Sequence, residues 1–533
     1  MVKLSFFGGQ NEIGGNKILL EDGDTRLFLD FGQSFTAEGN FFDQPFLSPQ
    51  NIDDLKLVGA IPDVDGLYKN AGYKTMYDDE GFVGVCGTGE PKKIMAVLVS
   101  HAHTDHAGYL GIIRKDMKFY GSKITKTFLG RRRDISEGWM MKYDDDSFTG
   151  LDDGETFEVG SAKIKHISVD HSIPGASAFI IEMGGLLIGY TGDLRLHGRR
   201  RELTEKFVKE AQNAKLDYLF CEGTRVDDGR TADPELQAEE AHSLHSEEQV
   251  ASKLETILDR AKGMVIYDAS PADMDRMDMV IRIASQKGRN VLIDAKKAYL
   301  VHGINLLSGL YPELEKFDNC SLLLSRKKER MPKPETTSKP RKGADPEKEA
   351  RKDALREADF NNPDIYIETR YNGRMTFEKN IMTVFEDFPN NCILPRIVWG
   401  PTLRDEIIKN QDNLLIYTSM GPLSMMHAGR GLKGTYVYGK AEPFNEEMEI
   451  SFRKLENWID LFGMELDYAH TSGHANRHDL EYIVNKIAPR WLLPIHTCHA
   501  GIFDQFYKSA CHWPNGAKVE LTKDGPRLIE SGI

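Results

Sequence analysis

Three histidines and one aspartate fall within six residues, in the order His101, His103, Asp105 and His106, inside the segment Ser100-His101-Ala102-His103-Thr104-Asp105-His106-Ala107-Gly108. On a loop that leaves a strand, alternate side chains project together, so His101 and His103 can share one metal ion while Asp105 and His106 reach a neighbouring one. Imidazole nitrogen suits zinc, and a carboxylate suits a hard or borderline cation. The mixed set therefore fits a binuclear zinc or manganese site better than a calcium or magnesium site. Asp105 counts here both as a ligand and as a catalytic residue, and Gly108 lets the chain turn closely behind the cluster.

Two cations need further ligands. His171 in Asp-His-Ser-Ile-Pro, Asp193 in Tyr-Thr-Gly-Asp-Leu and His496 in Leu-Leu-Pro-Ile-His each follow an apolar run that reads as a strand. A carboxylate has two oxygens and can bridge, which makes Asp193 the residue expected to hold two metals at the roughly 3.5–4 Å separation of two-metal hydrolases. His197, His242, His245 and His302 lack such a context.

The elements that must position these groups are legible. Short apolar runs bounded by Gly and Asp at 17–20, 26–32, 94–99, 162–167, 186–190 and 216–220 read as strands, several of them delivering a polar residue at their ends. From about residue 225 the pattern changes to alternating helix and strand. A capping box at Ser246 and Gln249 opens a helix, and strands follow at 264–267, 290–293 and 413–417. That alternation predicts an α/β unit with a parallel sheet. Between Ser325 and Asp359 the chain is rich in proline and charge. Its stretch 326–342 holds Arg326, Lys327, Lys328, Arg330, Lys333, Lys339, Arg341 and Lys342 against Glu329 and Glu335. A solvated surface insertion and a nucleic-acid or partner contact both fit that composition.

The ordered ligands resemble those of the metallo-β-lactamase superfamily, whose αββα sandwich carries a histidine cluster, a later histidine, a bridging aspartate and a final histidine. The α/β unit inserted after Glu222 narrows the resemblance to the β-CASP nuclease branch, whose marker positions match Glu222, His474 and His496. Within it, the opening Gly-Gly-Gln-Asn-Glu-Ile-Gly-Gly-Asn-Lys, the His-Ser-Ile-Pro turn and His-Thr-Ser-Gly-His-Ala are most similar to the ribonuclease J group.

The chain departs from the group in three respects. Gly223-Thr224-Arg225 follows Glu222 where Ser-Thr is commoner, residues 70 to 93 and 326 to 360 look inserted, and about 35 residues follow His496, too few for that group's separate C-terminal domain. The expected organisation is a metallo-β-lactamase domain over 1–224, an inserted β-CASP domain over 225–440, and the remainder of the first domain over 441–533.

What the resemblance implies is RNA phosphodiester hydrolysis by a nucleophilic hydroxide activated by two metals. His474 would be the general acid, oriented by Glu222, and the loop His470, Thr471, Ser472, Gly473 and His474 would take the substrate phosphate. Exonucleolytic and endonucleolytic action are both compatible with these motifs. Members with histidine at the position of His496 mostly process RNA, which favours single-stranded RNA as partner. The turn Thr418-Ser419-Met420-Gly421-Pro422 could face the same substrate. The alternatives are a DNA nuclease or a small phosphoester hydrolase on the same platform and, from another class, a non-catalytic nucleic-acid-binding subunit.

Composition sets the outer bounds. The chain of 533 residues, 40% hydrophobic and 28% charged, needs at least two cores, because one stops growing at about 250–300 residues. A net charge of −14 argues against a protein that coats nucleic acid nonspecifically, and leaves a nuclease open. Six scattered cysteines show neither a disulfide framework nor a metal knuckle, Cys498 being the one to watch beside His496. With no apolar run near the roughly 20 residues of a membrane span and no secretory leader, a cytoplasmic location is expected, and a homo-oligomer is left open.

Overall fold

In the computed structural model of the chain, the described residues are 1–43, 47–64, 66–69, 94–135, 140, 142–227, 244–270, 272–311, 319–324, 396–399, 403–418, 426, 429–440 and 446–532. The basic stretch 326–342, the segment 70 to 93 and the turn 419–422 lie outside them. The chain divides into two compact units. The first comprises Met1–Glu247, Ala272–Asp275 and Thr471–Ile533, and the second Glu248–Pro271 and Arg276–His470.

The first unit is built on an eight-stranded and a six-stranded sheet. Their facing sides share one core, to which Leu4, Leu20, Leu27 and Leu98 contribute from the larger sheet and Ile164, Phe179, Ile188, Phe220 and Leu493 from the smaller. The outer face of the smaller sheet buries Ile167, Ala178, Leu219 and Leu492 against the helices Arg201–Ala214 and Arg477–Ile487, which supply Phe207, Val208, Leu480, Ile483 and Val484. On the larger sheet, the helix Lys123–Ile135 packs against Lys118–Ser122 and Phe148–Leu151. The layers are thus α, β, β, α, the expected sandwich.

Strand direction explains where the site forms. Thr25–Leu29 and Ile94–Leu98 are parallel neighbours, so both end at one edge of the larger sheet. In the smaller sheet Leu186–Tyr190, Tyr218–Glu222 and Trp491–Ile495 are parallel neighbours. Ala162–Ser168 reaches the same direction through two antiparallel pairings with Ser177–Met183 between. Strands whose carboxyl ends share an edge deliver side chains from distant sequence positions to one place.

The second unit holds a seven-stranded sheet in the order Arg396–Trp399, Cys320–Leu324, Asn290–Asp294, Leu414–Thr418, Met264–Ala269, Gly434–Gly439, Glu465–Tyr468, and every pairing is parallel. Met264–Ala269 and Leu414–Thr418 are buried along their whole length, as strands covered on both faces must be. This is the expected parallel α/β unit. Its limits differ from 225 and 440 because the described chain stays with the first unit until Glu247, while Glu465–Tyr468 adds a further strand beside Gly434–Gly439.

Candidate metal centre and acid pair

The cluster forms where Ile94–Leu98 ends. His101 lies on the loop, His103 caps the short helix Thr104–Ala107, and Asp105 and His106 lie within that helix. The glycine-rich opening segment packs against its back. Asn16 donates its backbone N–H to the Asp105 carbonyl at 3.1 Å. Gly32 is confined to glycine, since a Cβ there would stand 1.5 Å from the same carbonyl oxygen. Lys17, fully buried, ties the segment together by donating to the carbonyls of Gly15 and Gly32, and burial holds its amine down at about 8.

All seven residues expected as ligands come together within the first unit. His101, His103, His171 and Asp193 form one group whose nitrogen and oxygen atoms lie within 4.8 Å of one another, and Asp105, His106 and His496 form another. In the first, His101 Nε2 and His103 Nδ1 are 3.0 Å apart, His171 Nε2 and His103 Nδ1 3.1 Å, and His101 Nε2 lies 3.5 Å from Asp193 Oδ2. In the second, Asp105 Oδ2 lies 3.7 Å from His106 Nε2 and 3.1 Å from His496 Nε2. Two ligands of one tetrahedral ion with bonds near 2.1 Å stand about 3.4 Å apart, and these separations are of that size.

The polar bookkeeping agrees. His106 Nε2 and Asp193 Oδ2 are 3.1 Å apart, yet that nitrogen and both Asp193 oxygens are buried without a hydrogen bond. Such atoms cost several kcal/mol unless a cation takes them.

The rings are turned by their second nitrogens. His106 Nδ1 lies 2.7 Å from Asp30 Oδ2, His171 Nδ1 2.6 Å from the Gly473 carbonyl, His496 Nδ1 2.7 Å from Thr224 Oγ1, and His101 Nδ1 3.0 Å from Ser100 Oγ. Each leaves Nε2 facing the cluster. Burial and the neighbouring imidazoles hold His101 and His171 well below the usual histidine range, and burial lowers His103 to about 4 despite Asp105 and Asp193 beside it. For His106 burial opposes charge, but Asp193, Asp105 and Asp30 outweigh it and raise the ring. Asp193 stays well below the usual carboxylate range, because His106, His496 and His474 outweigh the burial that would raise it. Neutral imidazoles and charged carboxylates are the forms that bind cations, so His101, His103, His171 and Asp193 already favour the binding form, whereas a cation at His106 would displace a proton.

Glu222 and His474 form a pair beside this cluster. Glu222 is fully buried and accepts the backbone N–H groups of Leu194 and Thr224 at 3.0 and 3.2 Å, while His474 Nδ1 lies 3.2 Å from its Oε2. His474 remains 21% exposed, so its ring is open to an incoming group. Burial works against its charge, but Glu222 and Asp193 raise it above the usual histidine value.

The residues His470 to His474 separate. His470 belongs to the second unit, where its Nδ1 meets the Gly439 carbonyl at 3.2 Å. Thr471 to His474 belong to the first, with the Ser472 hydroxyl accepting from the His474 amide and the Gly473 carbonyl engaged by His171. Cys498 is exposed and carries no ligand role in the described groups.

Sequence reasoning missed the residues that orient the ligands. Asp30 accepts from the Ser100 amide and hydroxyl and from the Tyr190 hydroxyl as well as facing His106. Its signal was an aspartate ending the strand Thr25–Leu29, the same placement that flagged Asp193. Thr224, just past Glu222, carried no signal.

Residues 86–256 match a family model described as a beta-lactamase superfamily domain. Among curated proteins, the chain is similar to proteins named ribonuclease J. The Helicobacter pylori protein is 23% identical over 295 residues, 55% of this chain and 36% of the relative. That of Mycoplasma pneumoniae is 24% identical over 318 residues, 58% of this chain and 46% of the relative. That of Mycolicibacterium smegmatis is 27% identical over 207 residues, 37% of this chain and 34% of the relative. The chain thus spans between a third and a half of these relatives' length. A crystal structure of an Enterococcus faecalis protein of unknown function covers 97% of this chain and 99% of its own, with a TM-score of 0.65 at 20% identity, a likeness of fold. Among the described residues no helix is long and apolar enough to cross a membrane. The family match over residues 86–256, the order of the candidate ligands and the inserted parallel-sheet unit agree in making the chain similar to the metallo-β-lactamase superfamily and to proteins named ribonuclease J.

Proposed function

We propose that the chain is a ribonuclease that hydrolyses RNA phosphodiester bonds at a site holding two zinc ions, with manganese as the alternative metal. The carrying observation is the position of Asp193 Oδ2, which lies 3.5 Å from His101, 3.7 Å from His171, 3.1 Å from His106 and 4.0 Å from His496, in each case from Nε2. One carboxylate oxygen between two sets of imidazoles is the arrangement that bridges a pair of cations. His101, His103 and His171 would hold one, and Asp105, His106 and His496 the other. When bound, such ions supply an activated water as nucleophile and neutralise charge on the phosphate oxygens.

The chain's own residues do the rest. Glu222, held by two backbone amides, receives Nδ1–H of His474, which leaves Nε2 to give a proton to the departing ribose oxygen. Thr471, Ser472 and Gly473 bring hydroxyls and backbone amides next to that acid, where a phosphate oxygen of the substrate would sit. RNA rather than DNA or a small ester is favoured by the name the curated relatives share.

The test incubates purified protein with zinc or manganese and 5′-monophosphorylated RNA, 5′-triphosphorylated RNA or single-stranded DNA, beside His103→Ala and His474→Ala. Turnover of RNA above both variants is expected. Equal rates for the wild type and the variants would refute the nuclease, preference for DNA would move the substrate, and well under two metals per loaded chain would remove the binuclear centre.

A further inference from the structure

The loop carrying His474 must be held against the ligand cluster, and one buried guanidinium touches everything required. Arg195 lies two residues after Asp193, is fully buried, and donates from Nη1 to the Ser472 carbonyl at 3.3 Å and to Glu247 Oε1 at 2.9 Å. Its Nε stands 3.6 Å from Asp170 Oδ1, and its backbone N–H donates to the Asp170 carbonyl at 2.9 Å, immediately before the ligand His171. Asp170 and Glu247 are themselves 2% exposed, so their charges balance the guanidinium inside the protein.

The neighbouring backbone continues the clamp. The Leu194 amide donates to Glu222 Oε1 at 3.0 Å, the Leu194 carbonyl accepts from the Ala475 amide at 2.7 Å, and His197 Nε2 meets the Ser472 carbonyl at 2.8 Å. Residues 194 to 197 thus grip the acid loop on both sides of His474, while the same stretch begins at the bridging carboxylate.

We propose that Arg195 is a positioning residue for proton donation: its planar fork fixes the Ser472 carbonyl, and through the Thr471–Ala475 loop it sets the distance of His474 from the scissile phosphate. The inference rests on the reading of His474 as general acid. A guanidinium suits the task because Nη1 donates to both the Ser472 carbonyl and Glu247 while Nε faces Asp170 at 3.6 Å on the same rigid plane, a geometry that a flexible ammonium stem holds less firmly.

The leaving group provides the assay. A ribose oxygen departs only when protonated, whereas p-nitrophenolate leaves without help. Arg195→Met, Arg195→Lys, His474→Ala and the Arg195→Met/His474→Ala double variant are each zinc-loaded. They are compared with wild type on a 5′-monophosphorylated RNA oligonucleotide and on bis(p-nitrophenyl) phosphate, with metal content and melting temperature measured alongside.

Arg195→Met is expected to lower kcat on RNA by about 10- to 100-fold with little change in KM, the cost of misplacing a reacting group by about an ångström. It should leave p-nitrophenyl turnover and metal content near wild type, with Arg195→Lys intermediate. In the double variant the loss of Arg195 should add nothing on RNA. Equal losses on the two substrates, or additive losses in the double variant, would overturn the role. If Arg195→Met does not fold, Arg195→Lys carries the same comparison. Failure of the underlying reading shows separately, as a His474→Ala variant that matches wild type on RNA, and it removes the Arg195 role with it.

Discussion

Replacing Asp30 by Asn should weaken one metal position while leaving the fold intact. Asp30 is fully buried, with φ at 58°, a left-handed conformation that Asn adopts as readily as Asp, so the change adds no backbone strain. Its Oδ1 accepts from the Ser100 amide at 2.6 Å, and an amide oxygen can keep that bond. Its Oδ2 faces Ser100 Oγ, the Tyr190 hydroxyl and, at 2.7 Å, His106 Nδ1. An NH2 group there can only donate. His106 would have to accept through Nδ1, which moves its proton to Nε2, the atom that faces Asp193 at 3.1 Å. A protonated Nε2 cannot bind a cation. Losing an orienting carboxylate of this kind costs about 10- to 100-fold in metal affinity, or about 1.4–2.7 kcal/mol. The assay is competition with a chromophoric zinc chelator, read as two separate dissociation constants beside elemental analysis and melting temperature. The expected result is one constant raised by that factor and the other unchanged. Two unchanged constants would refute the claim that Asp30 sets the His106 tautomer.

His474→Ala should lower kcat on RNA by about 10²- to 10⁴-fold with metal content unchanged, the usual share of a general acid, and a loss of bound metal instead would make His474 a ligand. Gly473→Ala should loosen the other metal position, since a Cβ would stand 2.5 Å from Ser172 Oγ and 3.1 Å from the His171 ring and would push away the carbonyl that His171 uses; chelator competition that finds both constants unchanged would rule this out. In the second unit, Lys297 is 4% exposed, sits 4.3 Å above the Tyr417 ring, and burial lowers its amine from 10.5 to about 7. Between those values the unfolded chain holds a proton the folded one lacks, so stability rises with pH across that window and is lowest below pH 7. Lys297→Met should therefore stabilise the protein most near pH 6, by at most about 5 kcal/mol, with the advantage fading towards pH 10 in denaturant titrations. A difference independent of pH would show that Lys297 is not buried uncharged.

The gathering of the candidate ligands was legible because histidine is scarce and because strand ends announce themselves as apolar runs that stop at a polar residue. Six strands read as apolar runs in the first unit and three in the second appear where expected, and the parallel sheet followed from their alternation with helices. The supports of the ligands were not legible, because hydrogen bonds to them ignore sequence distance. Asp30 reaches Ser100 across 70 residues and Tyr190 across 160, and Thr224 reaches His496 across 272. Nothing in a local pattern pairs such residues. The run His470 to His474 is divided by the fold. Its contiguity suggested one loop, yet the chain passes between the two units at Thr471, so His470 answers to Gly439 while its neighbours answer to His171 and Arg195.

The two sets of ligands are therefore supported differently. His106 and His496 lean on Asp30 and Thr224, which lie one and two residues past the sheet strands Thr25–Leu29 and Tyr218–Glu222 and so share the stiffness of the sandwich. His171 leans on the Gly473 carbonyl, inside the loop that carries His474 and that Arg195 clamps. A displacement of the Gly473 carbonyl itself would reach His171 directly, and the Asp105, His106 and His496 set only indirectly. The first set thus depends on one loop carbonyl, whereas the second behaves as a fixed part of the fold. Asp193, 3.8 Å from His474 Nδ1 and 3.1 Å from His106 Nε2, and the link from Glu222 through Thr224 to His496 are routes by which a disturbance of the first would be felt by the second.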